Sequence, residues 1–335
     1  MRRSVGFTSP NCLDLSQLKI TCLFSSRPYW VYSHLVPDVT ELFDRVPALA
    51  RTPRSVTTLP GGLTNRNYKV TTPEGAYVAR VWSRGDMLAI NRDHEHHNSV
   101  AAAQAGVGAP VVAYHPEDGL LVLGYIDGRT FGNADVADPA NIGRIARACR
   151  LLHAGPRFLG DFNMFAIQQR YRAVAREHGF AIPSGYDDLT DRVESARAAL
   201  AVRADPTVPC NNDLLAANFI DDGERIWLID YEYSGNNDAC FELGNIWGEC
   251  QLSLDALAEL ITAYYGAPLR NKIARARLLG VMGKYGWTLW GAIQHATSPL
   301  DFDFWSWAME RFEGAAQGLT SKDFGQLLDD ATRED

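Results

Sequence analysis

The stretch Cys210-Asn-Asn-Asp-Leu-Leu-Ala-Ala-Asn-Phe-Ile220, followed by Ile226-Trp-Leu-Ile-Asp230, decides how the rest of this chain is read. It places Asp213 on a loop, Asn218 at the exit of that loop and Asp230 at the end of a short apolar strand. One carboxylate can accept a proton there, while an amide and a second carboxylate can offer hard oxygen atoms to a cation. Taken singly, Asp213 reads as a loop or capping residue and Asp230 as a strand end. Neither plain reading accounts for both at this spacing with Asn218 between them.

Five positions separate Asp213 from Asn218, the Asp-x-x-x-x-Asn pattern of a kinase catalytic loop. Phosphoryl transfer is mostly positioning and charge neutralisation, so it needs one base and oxygen ligands for Mg²⁺. The ordered set Asp213, Asn218, Asp230 meets that need, with Asp213 as base and Asn218 and Asp230 as metal ligands.

Working outward, the 335 residues are enough for two lobes, each with its own core. A hydrophobic content of 46% beside 21% charged residues belongs to an ordinary globular protein. The net charge of -8 argues against nucleic acid and against anionic membranes as partners. No apolar run reaches membrane-spanning length, and the six cysteines form no C-x-x-C pair or zinc spacing. Reduced thiols in a cytoplasmic protein follow as the expectation. Polar residues interrupt the segment after Arg2 and Arg3, so 1–35 reads as a disordered extension rather than a signal peptide.

The expected architecture is α+β and bilobal. Val39, Leu42, Phe43, Val46 and Leu49 fall on one helical face. Strands at 55–59, 67–71 and 76–82, a helix over 91–105, and strands at 110–114 and 120–123 then complete a small β-rich lobe over 36–123. Gly124-Tyr-Ile-Asp-Gly128 reads as a hinge into a larger, mainly helical lobe over 124–320. Its helices are predicted at 136–154, 163–178, 187–203, 239–250, 253–265, 270–296 and 301–317, with a frayed polar tail over 321–335.

In the small lobe, Leu59-Pro-Gly-Gly-Leu-Thr-Asn65 joins two strands. On its own it reads as a hairpin turn, but Gly61 and Gly62 also let backbone N–H groups approach phosphate oxygens, with Thr64 and Asn65 adding donors. Arg80, in an otherwise apolar strand, can pair with nucleotide phosphates, and Glu95 in the next helix can orient it. Otherwise both are surface residues. His94, His96 and His97 lack a second ligand group and read as a solvated helix face. Four of the eight tryptophans (Trp287, Trp290, Trp305 and Trp307) lie within twenty-one residues. A core stripe is the usual explanation. With Glu232, Tyr233 and Glu249, however, these indoles could also form a box for an amine or quaternary ammonium, at about 0.5–2 kcal/mol per well-placed ring.

These segments together resemble the choline/ethanolamine kinase family, within the wider aminoglycoside-phosphotransferase-like group, over about residues 36 to 317. The likeness is strongest in Gly61-Gly-Leu-Thr-Asn65, Cys210 to Asn218, Leu228-Ile-Asp-Tyr-Glu-Tyr-Ser-Gly-Asn-Asn237, Phe241-Glu-Leu-Gly-Asn-Ile-Trp-Gly-Glu249 and Gly286-Trp-Thr-Leu-Trp-Gly-Ala-Ile-Gln294. It implies a protein-kinase-like fold that uses ATP and Mg²⁺ to phosphorylate a small amino alcohol, choline or ethanolamine. Another acceptor, such as thiamine or an aminoglycoside, and a non-catalytic binding protein on the same scaffold are the alternatives. By position, the resemblance assigns Asp213 as base, Asn218 and Asp230 to the metal, and Arg80 with Glu95 to the ATP phosphates. Leu123, Tyr125 and Ile126 would meet the adenine, and Tyr233, Glu249, Trp287, Trp290 and Trp307 the acceptor, with Glu232 as a further acid nearby. Two positions depart from the family pattern: Asn211 stands where a histidine is usual and Glu242 where an aspartate is common.

Overall fold

The computed structural model describes residues 39–82, 88 and 90–334, so the extension expected over 1–35 lies outside the described residues. The fold is a mixed α+β architecture with a β-sheet N-lobe and a helical C-lobe. Five antiparallel strands form the N-lobe sheet: β1 Ser55–Leu59, β2 Arg66–Thr72, β3 Gly75–Val81, β4 Val111–His115 and β5 Leu120–Gly124. Their spatial order is β1-β2-β3-β5-β4, and β4 and β5 pair through an irregularity between Val111 and Ala113. Helix α1 (Val39–Asp44) and the turn after it cover one face of this sheet. Leu42, Phe43, Val46 and Leu49 pack there on Val70, Ala79, Leu120 and Val122. That apolar face was legible as the periodicity of 39–49, although the helix itself ends at Asp44.

Successive strand residues point to opposite faces. Because Ala79 belongs to the α1-side core, its neighbour Arg80 is turned to the other face. Helix α2 (Arg92–Gln104) sits between β3 and β4 in sequence, with Asn91 capping its N-terminus through an acceptor bond from the His94 N–H. Its alanines do not join the α1-side core. Ala101, Ala102 and the following Val107 pack into the large-lobe core instead. Asn98, fully buried, donates to Ser234 and accepts from the Leu159 N–H at 2.8 Å. The Leu228 N–H adds a bond to the Val107 carbonyl at 2.8 Å. Helix α2 therefore ties the two lobes together.

The C-lobe contains α3 Asn133–Ala137, α4 Pro139–His153, α5 Met164–Glu177, α6 Thr190–Val202, α7 Ala239–Glu249, α8 Leu254–Tyr265, α9 Arg270–Thr297 and α10 Phe304–Thr320. The single helix expected over 136–154 is split at Asp138, which caps α4 by accepting from the Ala140 N–H just ahead of the helix-starting Pro139. Helix α9 spans 28 residues and is buried almost continuously from Ala274 to Gln294. Short strands β6 Arg129–Thr130, β7 Val208–Cys210, β8 Phe219–Asp221, β9 Ile226–Leu228 and β10 Gly235–Asn237 frame the loop that carries Asp213. Among the described residues no helix is long and apolar enough to cross a membrane.

The tail expected to fray beyond residue 321 is instead helix α11, Phe324–Thr332. Its polar composition concealed a narrow apolar stripe: Phe324, Leu327 and Ala331 recur at helical spacing and are buried in the large-lobe core. Phe324→Ala should therefore lower unfolding stability by about 3 kcal/mol, read from urea denaturation. An unchanged midpoint would mean that α11 contributes nothing to the core.

Candidate active site

The loop between β7 and β8 is held from beneath by side chains rather than by regular structure. Glu242, in the first turn of α7 and fully buried, accepts the Asn211 N–H at 2.8 Å on one oxygen and the Asn212 N–H at 2.7 Å on the other. A carboxylate with both oxygens bonded to backbone N–H groups satisfies buried donors and its own charge together. The extra methylene of glutamate is thus accommodated at this position. Asn211 braces the loop from its side chain. Its amide nitrogen donates to the carbonyls of Ile229 at 3.0 Å and Asp230 at 2.9 Å, and its oxygen accepts the Asp213 N–H at 3.1 Å. One side chain therefore links the backbone of Asp213 to that of Asp230.

Asn212 and Asp230 both adopt left-handed backbone, with φ of 68° and 67°. That conformation costs non-glycine residues of order 1 kcal/mol and persists only where surrounding contacts over-determine it. At Asn212 those contacts are bonds to the Cys210 and Tyr233 carbonyls and from Asn237. Asn218 donates to the Asp213 carbonyl at 2.7 Å, and the Ile229 N–H returns to the Asn218 carbonyl at 3.0 Å. Asp213, Asn218 and Asp230 thus belong to one network. The Asn218 amide N–H is committed to backbone, so oxygen is what its side chain still has to offer, and Asp230 adds carboxylate oxygen. Hard oxygen donors of this kind suit Mg²⁺. Burial, with the negative charges of Asp230, Glu249 and Glu232, holds the Asp213 carboxyl well above its ordinary pKa.

Arg80, 5% exposed, reaches across the cleft to Asp230 at 2.7 Å, Glu95 at 3.4 Å and Glu232 at 3.6 Å. Burial alone would weaken its charge, but these three carboxylates more than offset that, and the guanidinium pKa is raised. The expected Arg80–Glu95 partnership is present. Arg92, which sequence reasoning passed over, reinforces it by pairing with Glu95 at 2.7 Å and lying 3.4 Å from Glu232. It lies in a helix start crowded with charge and histidine, where no spacing rule singles it out. His96 stacks flat on Tyr114, 4.2 Å between ring centres.

The glycine loop meets this cluster from above. Gly61 and Gly62 take positive φ of 91° and 89°, and a Cβ on Gly62 would lie 2.7 Å from the Asn65 carbonyl. Thr64 and Asn65 were expected to face phosphate, but here they donate to Glu232, at 2.6 and 2.8 Å. Glu232 was expected beside the acceptor pocket, two residues from Asp230. It points instead toward Thr64, Asn65, Arg80 and Arg92, because those donors satisfy a carboxylate that indole faces could not. Burial and Asp230 push its carboxyl up to about 7. Leu123, Tyr125 and Ile126 lie where β5 runs into the interlobe segment, with Lys69 from β2 poised 3.6 Å above the Tyr125 ring.

The predicted aromatic cluster assembles on α9 and α10. Tyr233 and Trp287 meet edge to face at 5.0 Å, Trp290 and Trp307 lie 5.2 Å apart, and the Trp290 indole donates to the Tyr233 hydroxyl at 2.7 Å. Trp287 and Trp290 are each 5% exposed, and the Trp287 indole N–H has no hydrogen-bond partner among the described residues. Gly291 permits the close approach of α10, since a Cβ there would lie 2.8 Å from the Trp307 ring. Trp305 stands apart, against His295. Glu249, the last residue of α7, is bound by Arg311 of α10 at 2.7 Å, and the Arg311 guanidinium lies 3.7 Å over the Trp307 ring. Arg311 was not anticipated. It belongs to a separate helix, and its role depends on how α7 and α10 meet.

The chain matches the family described as choline/ethanolamine kinase over residues 56–259. The solved structure of a choline/ethanolamine kinase family protein from Mesorhizobium loti is 31% identical, with 88% of this chain and 98% of that one covered and a TM-score of 0.78. Ethanolamine kinase 1 of Mus musculus is 26% identical over 310 residues, 78% of this chain and 83% of that protein. Protein LicA of Haemophilus influenzae is 25% identical, and that match spans 61% of either chain.

If Asn211 carries the brace, Asn211→Ala removes an acceptor and two donors from a buried loop. Stability should fall by about 2 kcal/mol, measured by urea denaturation. A loss below the error of that measurement would mean the loop is held by Glu242 alone.

Proposed function

The chain belongs to the choline/ethanolamine kinase family, and from that premise we propose that it transfers the terminal phosphoryl group of ATP to the hydroxyl of a small amino alcohol, choline foremost. The observation that carries this reading is the single hydrogen-bonded network joining Asp213, Asn218 and Asp230 beside the Tyr233, Trp287 and Trp290 rings.

In this mechanism Asp213 accepts the proton of the acceptor hydroxyl as its oxygen attacks the terminal phosphorus and the bond from that phosphorus to the bridging oxygen breaks, ADP being the leaving group. A carboxyl whose pKa is raised by burial and by like charges is a stronger base once ionised, which suits that role. Asn218 and Asp230 would hold Mg²⁺, which when bound supplies positive charge to the transferring group. Arg80, held by Glu95, would face the nucleotide phosphates, and Leu123, Tyr125 and Ile126 would border the base. The backbone of Gly61 and Gly62 can approach phosphate oxygens without side-chain hindrance. Thr64 and Asn65 can turn to the same oxygens only by releasing Glu232. Tyr233, Trp287 and Trp290 offer π faces to an ammonium and keep water from it.

ADP release with Mg-ATP and a panel of choline, ethanolamine, thiamine and an aminoglycoside tests the reading directly. Turnover on choline or ethanolamine is the expected result. A folded protein inactive on both, or faster on another acceptor, would refute it. Asp213→Asn should lower kcat by about 10²–10⁴-fold while ATP binding, followed by calorimetry, stays intact. Asp230→Ala should remove the Mg²⁺ dependence of nucleotide binding, seen as equal affinity with and without the metal.

A further inference from the structure

Besides Asp213, assigned to the acceptor hydroxyl, the two carboxylates expected to take the hydrogens of an ammonium are Glu232 and Glu249, and both are already engaged. Glu232 is bonded by Thr64 and Asn65 and faced by Arg80 and Arg92. Glu249 is held by Arg311 at 2.7 Å, with the side chains of the pair only 10% and 15% exposed. Glu249 closes α7, and a carboxylate at a helix C-terminus is disfavoured by the dipole unless a cation offsets it. Arg311 supplies that cation and at the same time covers the Trp307 ring at 3.7 Å. The rest of the cluster carries no charge: it is the rings of Tyr233, Trp287 and Trp290, packed together.

We propose that Arg311 sets the acceptor preference of this site by keeping Glu249 engaged, so that an ammonium is recognised by aromatic faces alone and a quaternary headgroup is favoured over a primary one. The proposal rests on the function proposed above and refines it. A primary ammonium carries three N–H donors, and burying them among rings without acceptors leaves them unsatisfied. A trimethylammonium has no donor to satisfy, and its charge is spread over methyl groups that fit against π faces. A carboxylate released from Arg311 would supply the missing acceptor. Arg311 touches neither ATP nor the reacting hydroxyl in this account, so it is a positioning residue acting through Glu249.

The test compares kcat/KM for choline and ethanolamine in the unsubstituted protein, Arg311→Met, Arg311→Lys and the double variant Arg311→Met with Glu249→Leu, which removes the acceptor. Methionine keeps apolar bulk over Trp307 while freeing Glu249. A charge-assisted hydrogen bond gained by ethanolamine alone should move the ratio toward ethanolamine by about tenfold in Arg311→Met. Arg311→Lys should hold the ratio near its starting value, and the double variant should restore it. General damage to the fold would lower both activities together and leave the ratio alone. An independent reading needs no substitution: tetramethylammonium should inhibit the unsubstituted protein at least about tenfold more strongly than methylammonium. Equal inhibition, or an unmoved ratio in an active Arg311→Met, overturns the assignment of Arg311 alone. Failure of the unsubstituted protein to turn over either amine overturns the underlying reading, and this proposal with it.

Discussion

The buried guanidinium of Arg80 is the interaction on which the rest of the site depends. It comes from a strand of the small lobe and meets carboxylates from three places: Asp230 after β9, Glu95 on α2, and Glu232 beyond Asp230. Removing a cation from water is costly, and a single partner rarely restores the loss. Three partners do so here, and the raised pKa of the guanidinium is the thermodynamic expression of that balance. Because the partners belong to different elements, the position of the small-lobe sheet over the large lobe is bound to the arrangement of the charges. The buried amide of Asn98 and the apolar face of α2 hold the same junction in place without charge.

Beneath this cluster, two strained residues are kept in place by their neighbours. Asn212 and Asp230 occupy left-handed backbone because Glu242 and Asn211 leave the loop little alternative. The departures at these two positions are mutually consistent. Asparagine bonds both to the strand exit and to the loop through a short planar amide, and the longer glutamate reaches two successive backbone N–H groups. In this chain the two residues together hold the loop through five hydrogen bonds.

Much of this was legible in the sequence for identifiable reasons. The lone cation Arg80 in an apolar strand, the helical spacing of Trp287 and Trp290, and the loop pattern from Asp213 to Asn218 are all local features of the chain. Helix α11 was missed because its stripe is three residues wide in a polar segment. It becomes a helix by covering α6 and α9, and propensity alone does not reveal that. Glu232 was misplaced for a related reason. Adjacency to Tyr233 suggested a shared pocket, yet both residues sit in a turn closed by the Ser234 N–H on the Tyr231 carbonyl, and Glu232 is drawn to the glycine-loop donors while Tyr233 joins the indoles.

By itself, then, the sequence determined the two-lobed α+β organisation and singled out Asp213, Asn218, Asp230, Arg80 and the indole cluster as candidates for the site. These depend on order and spacing along one chain. Tertiary structure alone decided which charges meet: Glu232 with the glycine loop, Arg92 with Glu95, and Arg311 with Glu249 over Trp307. Ion pairs form between side chains that the packing of separate helices and strands brings within a few ångströms, and no local pattern encodes that distance.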